Sequence, residues 1–223
     1  MEKYAIIVAG GSGVRMGGNI PKQFQLLKGK PVLWHSINAF AGAFEDIRII
    51  LTVAEIYRAR VESMIKDFPG ASIVVTTGGD TRFHSVKNGL KLVKENSIVF
   101  VHDAVRCLIT HHLIHRCYNE AIKHGNAIPA IAATDTIRIE TPEGNEQIDR
   151  SKVRLIQTPQ TFLSELLLNA FNYEYASSFT DEASVVEKSG TKINLVEGES
   201  TNIKITVPVD FLVAEKILET LEK

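Results

Sequence analysis

The chain has 223 residues, the length of one large domain, and a chain of that size buries about 70–75% of its unfolded surface without cross-links. Hydrophobic residues make up 44% and charged residues 23%, which excludes a disordered or collagen-like chain. Twenty-five Lys and Arg face 26 Asp and Glu, so there is no basic surplus with which to hold nucleic acid by charge.

Only Cys107 and Cys117 are present, too few for a disulfide framework. Glycines cut short the apolar stretch at the N-terminus, which does not read as a signal peptide. No apolar run nears the ~20 residues that span a bilayer. The expectation is a soluble, cytoplasmic protein that binds neither nucleic acid nor membrane, with residues 1–223 as a single domain.

The elements alternate along the chain. Residues 4–8 are a continuous apolar run ending at glycines, the pattern of a buried parallel strand. Apolar residues at helical spacing follow over 32–40, then a second strand over 47–51. Residues 54–68 read as a helix stopped by Pro69-Gly70. A third strand covers 73–75, a helix 83–93, a fourth strand 98–101, a helix 113–122 and a fifth strand 127–132. This rhythm predicts an α/β fold: a Rossmann-like open, mostly parallel twisted sheet with helices on both faces. Residues 135–157 break the rhythm. Ile137 and Ile139, a turn through Pro142, Gly144 and Asn145, then Ile148, Val153 and Leu155 read as two strands of a protruding β-hairpin arm. Helices are expected over 162–171 and just after Thr180-Asp181, strands over 193–196 and 203–206, and a last helix from Pro208.

The first strand runs into Ala9-Gly10-Gly11-Ser12-Gly13-Val14-Arg15-Met16-Gly17-Gly18, followed by Pro21-Lys22-Gln23. Glycines let the backbone come close to a ligand, and successive amides can cradle phosphate. The spacing fits neither a dinucleotide fingerprint, which needs Gly at Met16, nor a Walker A loop. A flexible turn alone would explain the glycines. Arg15 and Lys22 beside them supply the cations that a triphosphate requires.

Further segments follow in order: Gly78-Gly79-Asp80 with Arg82 and Ser85, Val101-His102-Asp103-Ala104 with Arg106, Asp135-Thr136, Asp149-Arg150, Gln157-Thr158-Pro159-Gln160, Thr180-Asp181-Glu182-Ala183-Ser184, and Asn202-Ile203-Lys204. Together with the glycine loop, this set resembles the 2-C-methyl-D-erythritol 4-phosphate cytidylyltransferases across nearly the whole chain. The resemblance implies a nucleotide-diphospho-sugar transferase-like fold and transfer of cytidylyl from CTP to a polyol phosphate in non-mevalonate isoprenoid synthesis. Carried over residue by residue, it implies that Arg15 and Lys22 stabilise the transition state. Ala9, Gly10, Gly11, Ser12 and Gly13 would line the nucleotide phosphates, and Gly79, Asp80 and Ser85 the cytosine. Asp103, Arg106, Thr158 and Lys204 would serve the polyol phosphate, with Asp103 also a ligand for Mg2+ as cofactor. Thr136 and Arg150 would reach the partner's substrate in a homodimer with shared active sites.

Two departures, Gly10 in the loop and Val105-Arg106-Cys107 after Asp103, resemble the ribitol 5-phosphate cytidylyltransferases instead. That acceptor stays open as the alternative, as does a non-catalytic nucleotide-binding module of the same fold. His111, His112 and His115 cluster on the helix near residue 113, but no acid or cysteine beside them completes a zinc site.

Overall fold

The computed structural model describes residues 1–10 and 20–221. After β1 (Glu2–Ala9) and a 3-10 turn Lys22–Phe24, the ribbon β2 (Leu26–Leu27) and β3 (Lys30–Pro31) leads into α1 (Val32–Ala43). β4 (Ile47–Val53) follows, then α2 (Arg58–Met64), β5 (Ser72–Thr77), α3 (Arg82–Leu90), β6 (Ser97–Asp103), α4 (His111–His124) and β7 (Asn126–Ala132). A hairpin of β8 (Ile137–Thr141) and β9 (Gly144–Ile148) comes next. The 3-10 turn Arg150–Lys152 then leads to β10 (Arg154–Ile156), β11 (Gln160–Leu163), α5 (Ser164–Ala170), α6 (Glu182–Lys188), β12 (Leu195–Glu197) and α7 (Pro208–Leu221).

β6, β1, β4 and β5 lie side by side in parallel. β11 joins the other side of β6 antiparallel, and β7 pairs with β11. β10 continues along the same side of β7 as β11 does. Ile156 faces Ala130 and Thr161 faces Ala127, so five residues on one strand span three on the other. That bulge contains Thr158 and Pro159, joined by a cis peptide. β12 lies along the far side of β7, in parallel. The result is the expected open, mostly parallel sheet.

The alternation along β1 shows how the sheet divides two cores. Ala5, Ile7 and Ala9 pack in one with Leu33, Ile37 and Phe40 of α1 and Leu113, Ile114 and Cys117 of α4. Tyr4 and Ile6 pack in the other with Phe83, Val86 and Leu90 of α3 and with residues of α5 and α6. Successive side chains of a strand point to opposite faces, so one strand serves both layers. α7 closes a smaller cluster, where Ala214 meets Leu27, Val105, Leu108 and Ile205.

Four segments differ from the sequence expectation. Residues 162 and 163, expected to open a helix, instead end β11, because backbone partners wait on both sides in β6 and β7. Residues 203–206 form no strand. Ile205 makes one backbone bond, to the Val105 carbonyl, and the amides of Thr206 and Val207 are taken by the Asp210 carboxylate. Residues 54–68 are α2 with the 3-10 turns Glu55–Tyr57 and Ile65–Asp67 at its ends, not one helix. The hairpin ends at Ile148, and the rest of 135–157 returns to the main sheet as β10. Asp149 makes that return: its carboxylate accepts from the Ser151 amide and caps the 3-10 turn.

Candidate active site

The carboxyl ends of β1, β4, β5 and β6 meet at one edge of the sheet, where open α/β sheets bind ligands. Ala9 ends β1 and is buried. Gln23, also buried, donates its side-chain amide to the Ala9 carbonyl at 2.8 Å. That bond fastens the turn headed by Lys22 beside the end of β1. Beyond β5, the Gly78 amide bonds the Val53 carbonyl at 2.7 Å. Thr81 caps α3 by accepting from the His84 amide, which brings Ser85 into the helix's first turn. The Ser85 hydroxyl accepts from the Gly79 amide at 3.0 Å and donates to the Thr81 carbonyl at 3.0 Å. A Cβ on Gly10 or Gly78 would lie 3.3 or 3.2 Å from that hydroxyl, and one on Gly79 would stand 2.4 Å from His84 Cβ, so the turn at Gly79 admits no side chain. Ala9, Gly10, Gly79 and Ser85 thus converge, and Asp80 is exposed beside them.

Asp103 ends β6 and is held at both its backbone and its side chain. Its amide donates to Thr158 Oγ1 at 3.1 Å. The Thr158 hydroxyl meets His102 Nδ1 at 3.0 Å, and His102 Nε2 meets the Arg106 carbonyl at 3.1 Å. A carbonyl only accepts, so Nε2 carries the proton and Nδ1 accepts from Thr158. Burial pushes the His102 pKa down to about 4, against the pull of Asp103, which leaves the ring neutral near pH 7. The Thr158 hydroxyl is therefore committed to partners inside the fold.

The Asp103 carboxylate accepts from Lys204 Nζ at 2.8 Å on one oxygen and from Arg82 Nε at 3.1 Å on the other, with Arg106 Nε 3.9 Å away. Burial by itself would raise this carboxyl's pKa, but Arg82, Lys204 and Arg106 outweigh it and hold the group far below the usual range. Both terminal nitrogens of Arg82 bond the carboxylate of Glu182, which is 1% exposed. Burial disfavours the charge on Arg82, yet Glu182 and Asp103 keep it firmly protonated. Burial also raises the Glu182 carboxyl, and Arg82 offsets part of that rise. Three cations and two carboxylates leave one positive charge over, a balance suited to an anionic ligand.

Loop 198–204 carries Lys204 into place. Arg106 donates to the Asn202 carbonyl at 2.8 Å, and Asn202 Nδ2 donates to the Thr158 carbonyl at 2.9 Å. Gln157 Nε2 bonds the Glu199 carbonyl, and the Glu199 side chain accepts from Thr110, the cap of α4.

Thr136 and Arg150 form a separate group at the open end of the hairpin. With Gln147, Ile148 and Asp149 they line a depression of about 380 Å³. Both are exposed, and Arg150 donates to the Thr134 carbonyl rather than to any member of the Asp103 cluster. Gly11, Ser12, Gly13 and Arg15 lie outside the described residues. The three clustered histidines at the start of α4 diverge: His111 stands against Gly42, His112 takes a bond from Arg116, and His115 meets Phe44 edge-on. Among the described residues no three His, Cys, Asp or Glu side chains form a metal cluster.

A sequence profile of the family described as IspD, 2-C-methyl-D-erythritol 4-phosphate cytidylyltransferase, matches residues 4–220. The chain belongs to that family. It is 42% identical over 219 residues to the 2-C-methyl-D-erythritol 4-phosphate cytidylyltransferase of Bacteroides thetaiotaomicron, across 98% of this chain and 100% of that one. The fold matches the crystal structure of 4-diphosphocytidyl-2C-methyl-D-erythritol synthase from Anaerococcus prevotii with a TM-score of 0.84 at 27% identity, over 98% of both chains. It matches the 2-C-methyl-D-erythritol 4-phosphate cytidylyltransferase of Thermus thermophilus with a TM-score of 0.79 at 30% identity, over 98% of this chain and 100% of the other. This cytidylyltransferase is a nucleotidyltransferase enzyme of isoprenoid biosynthesis. Its edge contains residues that motif reading did not assign to the site, namely Gln23, Arg82, His102, Glu182 and Asn202. Each stands within a quoted motif, but only the folded contacts give it a task.

Proposed function

We propose that this cytidylyltransferase transfers the cytidylyl group of CTP to 2-C-methyl-D-erythritol 4-phosphate, giving 4-CDP-2-C-methyl-D-erythritol and pyrophosphate. The observation that carries the reading is the cationic cluster of Arg82, Arg106 and Lys204 around Asp103, beside the Ser85 turn, in a chain of this family. An oxygen of the acceptor phosphate attacks the α-phosphorus of CTP in line. The new P–O bond forms as the bond to the bridging oxygen breaks, and pyrophosphate departs with the electron pair. Such a reaction needs positioning and charge stabilisation rather than a covalent intermediate.

Ala9, Gly10 and the glycine loop receive the nucleotide, and Gly79, Asp80 and Ser85 read the cytosine edge. Arg15 and Lys22 stabilise charge on the reacting phosphates. Arg106 and Lys204 hold the acceptor, while Thr158 supports that site from beneath, through the Asp103 amide. Mg2+ fits an ion that arrives with the triphosphate. Such ions use one or two carboxylates plus phosphate oxygens; both Asp103 oxygens already accept from Lys204 and Arg82, so the ion would rest mainly on the CTP phosphates, with Asp103 the candidate protein carboxylate beside them. When bound, the ion offsets the concentrated charge of the triphosphate.

The hairpin acts as a homodimer arm in this reading, with Thr136 and Arg150 reaching the acceptor in the partner's site. In support, β8 and β9 pair only with each other among the described strands, and a lone two-stranded ribbon is marginal in water. Ile139 on the ribbon and Leu155 and Ile156 on the neighbouring β10 are also exposed. The compartment proposed is the cytoplasm. Both cysteines are free and buried, as in a reducing environment, and no described helix is long and apolar enough to cross a membrane.

The test is pyrophosphate release with purified protein, CTP and Mg2+. Methylerythritol phosphate, ribitol 5-phosphate and no acceptor are run in parallel, and UTP is run in place of CTP. Release is expected with CTP and methylerythritol phosphate alone. Faster release with ribitol 5-phosphate overturns the acceptor, and equal release with UTP overturns the base assignment.

A further inference from the structure

The geometry points to Arg82 and Glu182 as positioning residues that act through Asp103 on Lys204. This inference rests on the acceptor role proposed above for Lys204.

Lys204 needs external placement. Its segment has no strand ladder, and its side chain is 45% exposed. A lysine is a flexible point charge with no fixed fork of its own. What holds its ammonium is one oxygen of Asp103, at 2.8 Å. Which way that oxygen faces depends on the other one, and the other belongs to Arg82 Nε at 3.1 Å. A planar guanidinium has fixed donor directions. With Nη1 and Nη2 both on Glu182, Nε has a single orientation left to offer Asp103.

Glu182 is itself fixed by a separate set of contacts. It is the first residue of α6, whose Asp181 cap is reciprocated by Ser184. Gln160 bonds the Asp181 carboxylate at 2.7 Å and the Ala183 amide at 2.8 Å. Gln160 begins β11, which is paired to β6, the strand that Asp103 ends. The start of α6 is thus registered against the strand that carries Asp103. Without Glu182, the two free nitrogens of Arg82 would turn onto Asp103 and compete with Lys204 for its second oxygen.

Two variants test this, with methylerythritol phosphate and CTP varied separately and Tm measured for each. Arg82→Lys keeps the charge but cannot serve two carboxylates in a fork. Arg82→Met/Glu182→Met removes a buried ion pair in favour of apolar side chains, an exchange that often leaves stability unchanged or improves it. In both, kcat/KM for the acceptor is expected to fall about 10- to 100-fold, the scale of a misplacement near 1 Å. KM for CTP should stay within about 2-fold, and the double variant should keep the wild-type Tm. A purely structural pair would instead regain activity along with stability in the double variant, and that result overturns the proposal. Equal loss against CTP and acceptor also overturns it. Wild-type protein that ignores methylerythritol phosphate defeats the reading beneath, whatever the variants do.

Discussion

The Asp103 cluster and the base of the hairpin are both polar, and each carries residues proposed to serve one phosphate. They are built in opposite ways. Asp103, Glu182 and His102 are buried and Arg82 is half-buried, and every one has partners from distant parts of the chain. Thr136 and Arg150 are exposed at the base of a ribbon bonded only to itself among the described strands. A single chain thus completes one wall of the proposed acceptor site and holds out the material for another. The buried wall is pre-organised by its own fold, whereas the exposed one would gain definition only in the proposed dimer.

The largest expected effect joins the two regions. Lys22→Ala should lower kcat by about 10²–10⁴, the range for loss of a transition-state charge partner, and Arg150→Ala should leave little activity. Mixing the two variants restores one intact site per mixed dimer if Arg150 acts across the interface. No recovery, once subunit exchange is verified by mass, places Arg150 in its own subunit and removes the contrast.

Next comes stability. Asp103→Asn leaves Arg82 and Arg106 without their shared carboxylate and should cost about 3–5 kcal/mol, the cost of breaking a buried pair. Asp149→Asn, on the exposed side, should not move Tm. Urea unfolding of both variants checks this, and similar losses would show that the regions are not built differently.

A pH effect separates them further. His102 has a depressed pKa of about 4 in the fold, against about 6.5 in the unfolded chain. The unfolded chain therefore binds the extra proton first. This contribution to stability is complete above about pH 6.5 and is lost as pH falls towards 4, amounting to about 3 kcal/mol. Asp103, whose pKa is also lowered, contributes above its unfolded pKa of about 3.9 and loses that only in stronger acid. Unfolding free energies at pH 7 and pH 4.5 should differ less for His102→Asn than for wild type. An unchanged difference would put the source elsewhere. A smaller loss is expected for Asp181→Ala, which removes the cap of α6 and should cost about 1–2 kcal/mol by urea titration.

Much of the fold was legible because continuous apolar runs such as residues 4–8 and 98–101 have only one stable place, inside a parallel sheet. β11 was not, since Gln160-Thr161-Phe162-Leu163 becomes a strand only because β6 and β7 offer ladders on both sides. The alternation of Ile203 and Ile205 misled in the other direction, towards a strand for which no partner stands alongside. Within the site, Asp103 and Lys204 stood in separate motifs, and their side chains meet at 2.8 Å. The joining of Arg82 to Glu182, 100 residues away, left no periodic or spacing signal. A contact between the first residues of two helices depends on how those helices dock, which no local pattern encodes.

The position of β11 has a consequence for the order in which the molecule can assemble. β7 is made before β11 but has no ladder to β6, so it cannot join the sheet until β11 has settled between them. During synthesis, residues 2–103 already hold four parallel strands, while β6 waits with one edge open to pairing by other chains. A chain ended at residue 159 should therefore resist protease over 2–103 and be cut within 126–159. Equal protection of both segments would mean that β7 finds a place without β11, the later-made strand that closes the sheet's centre.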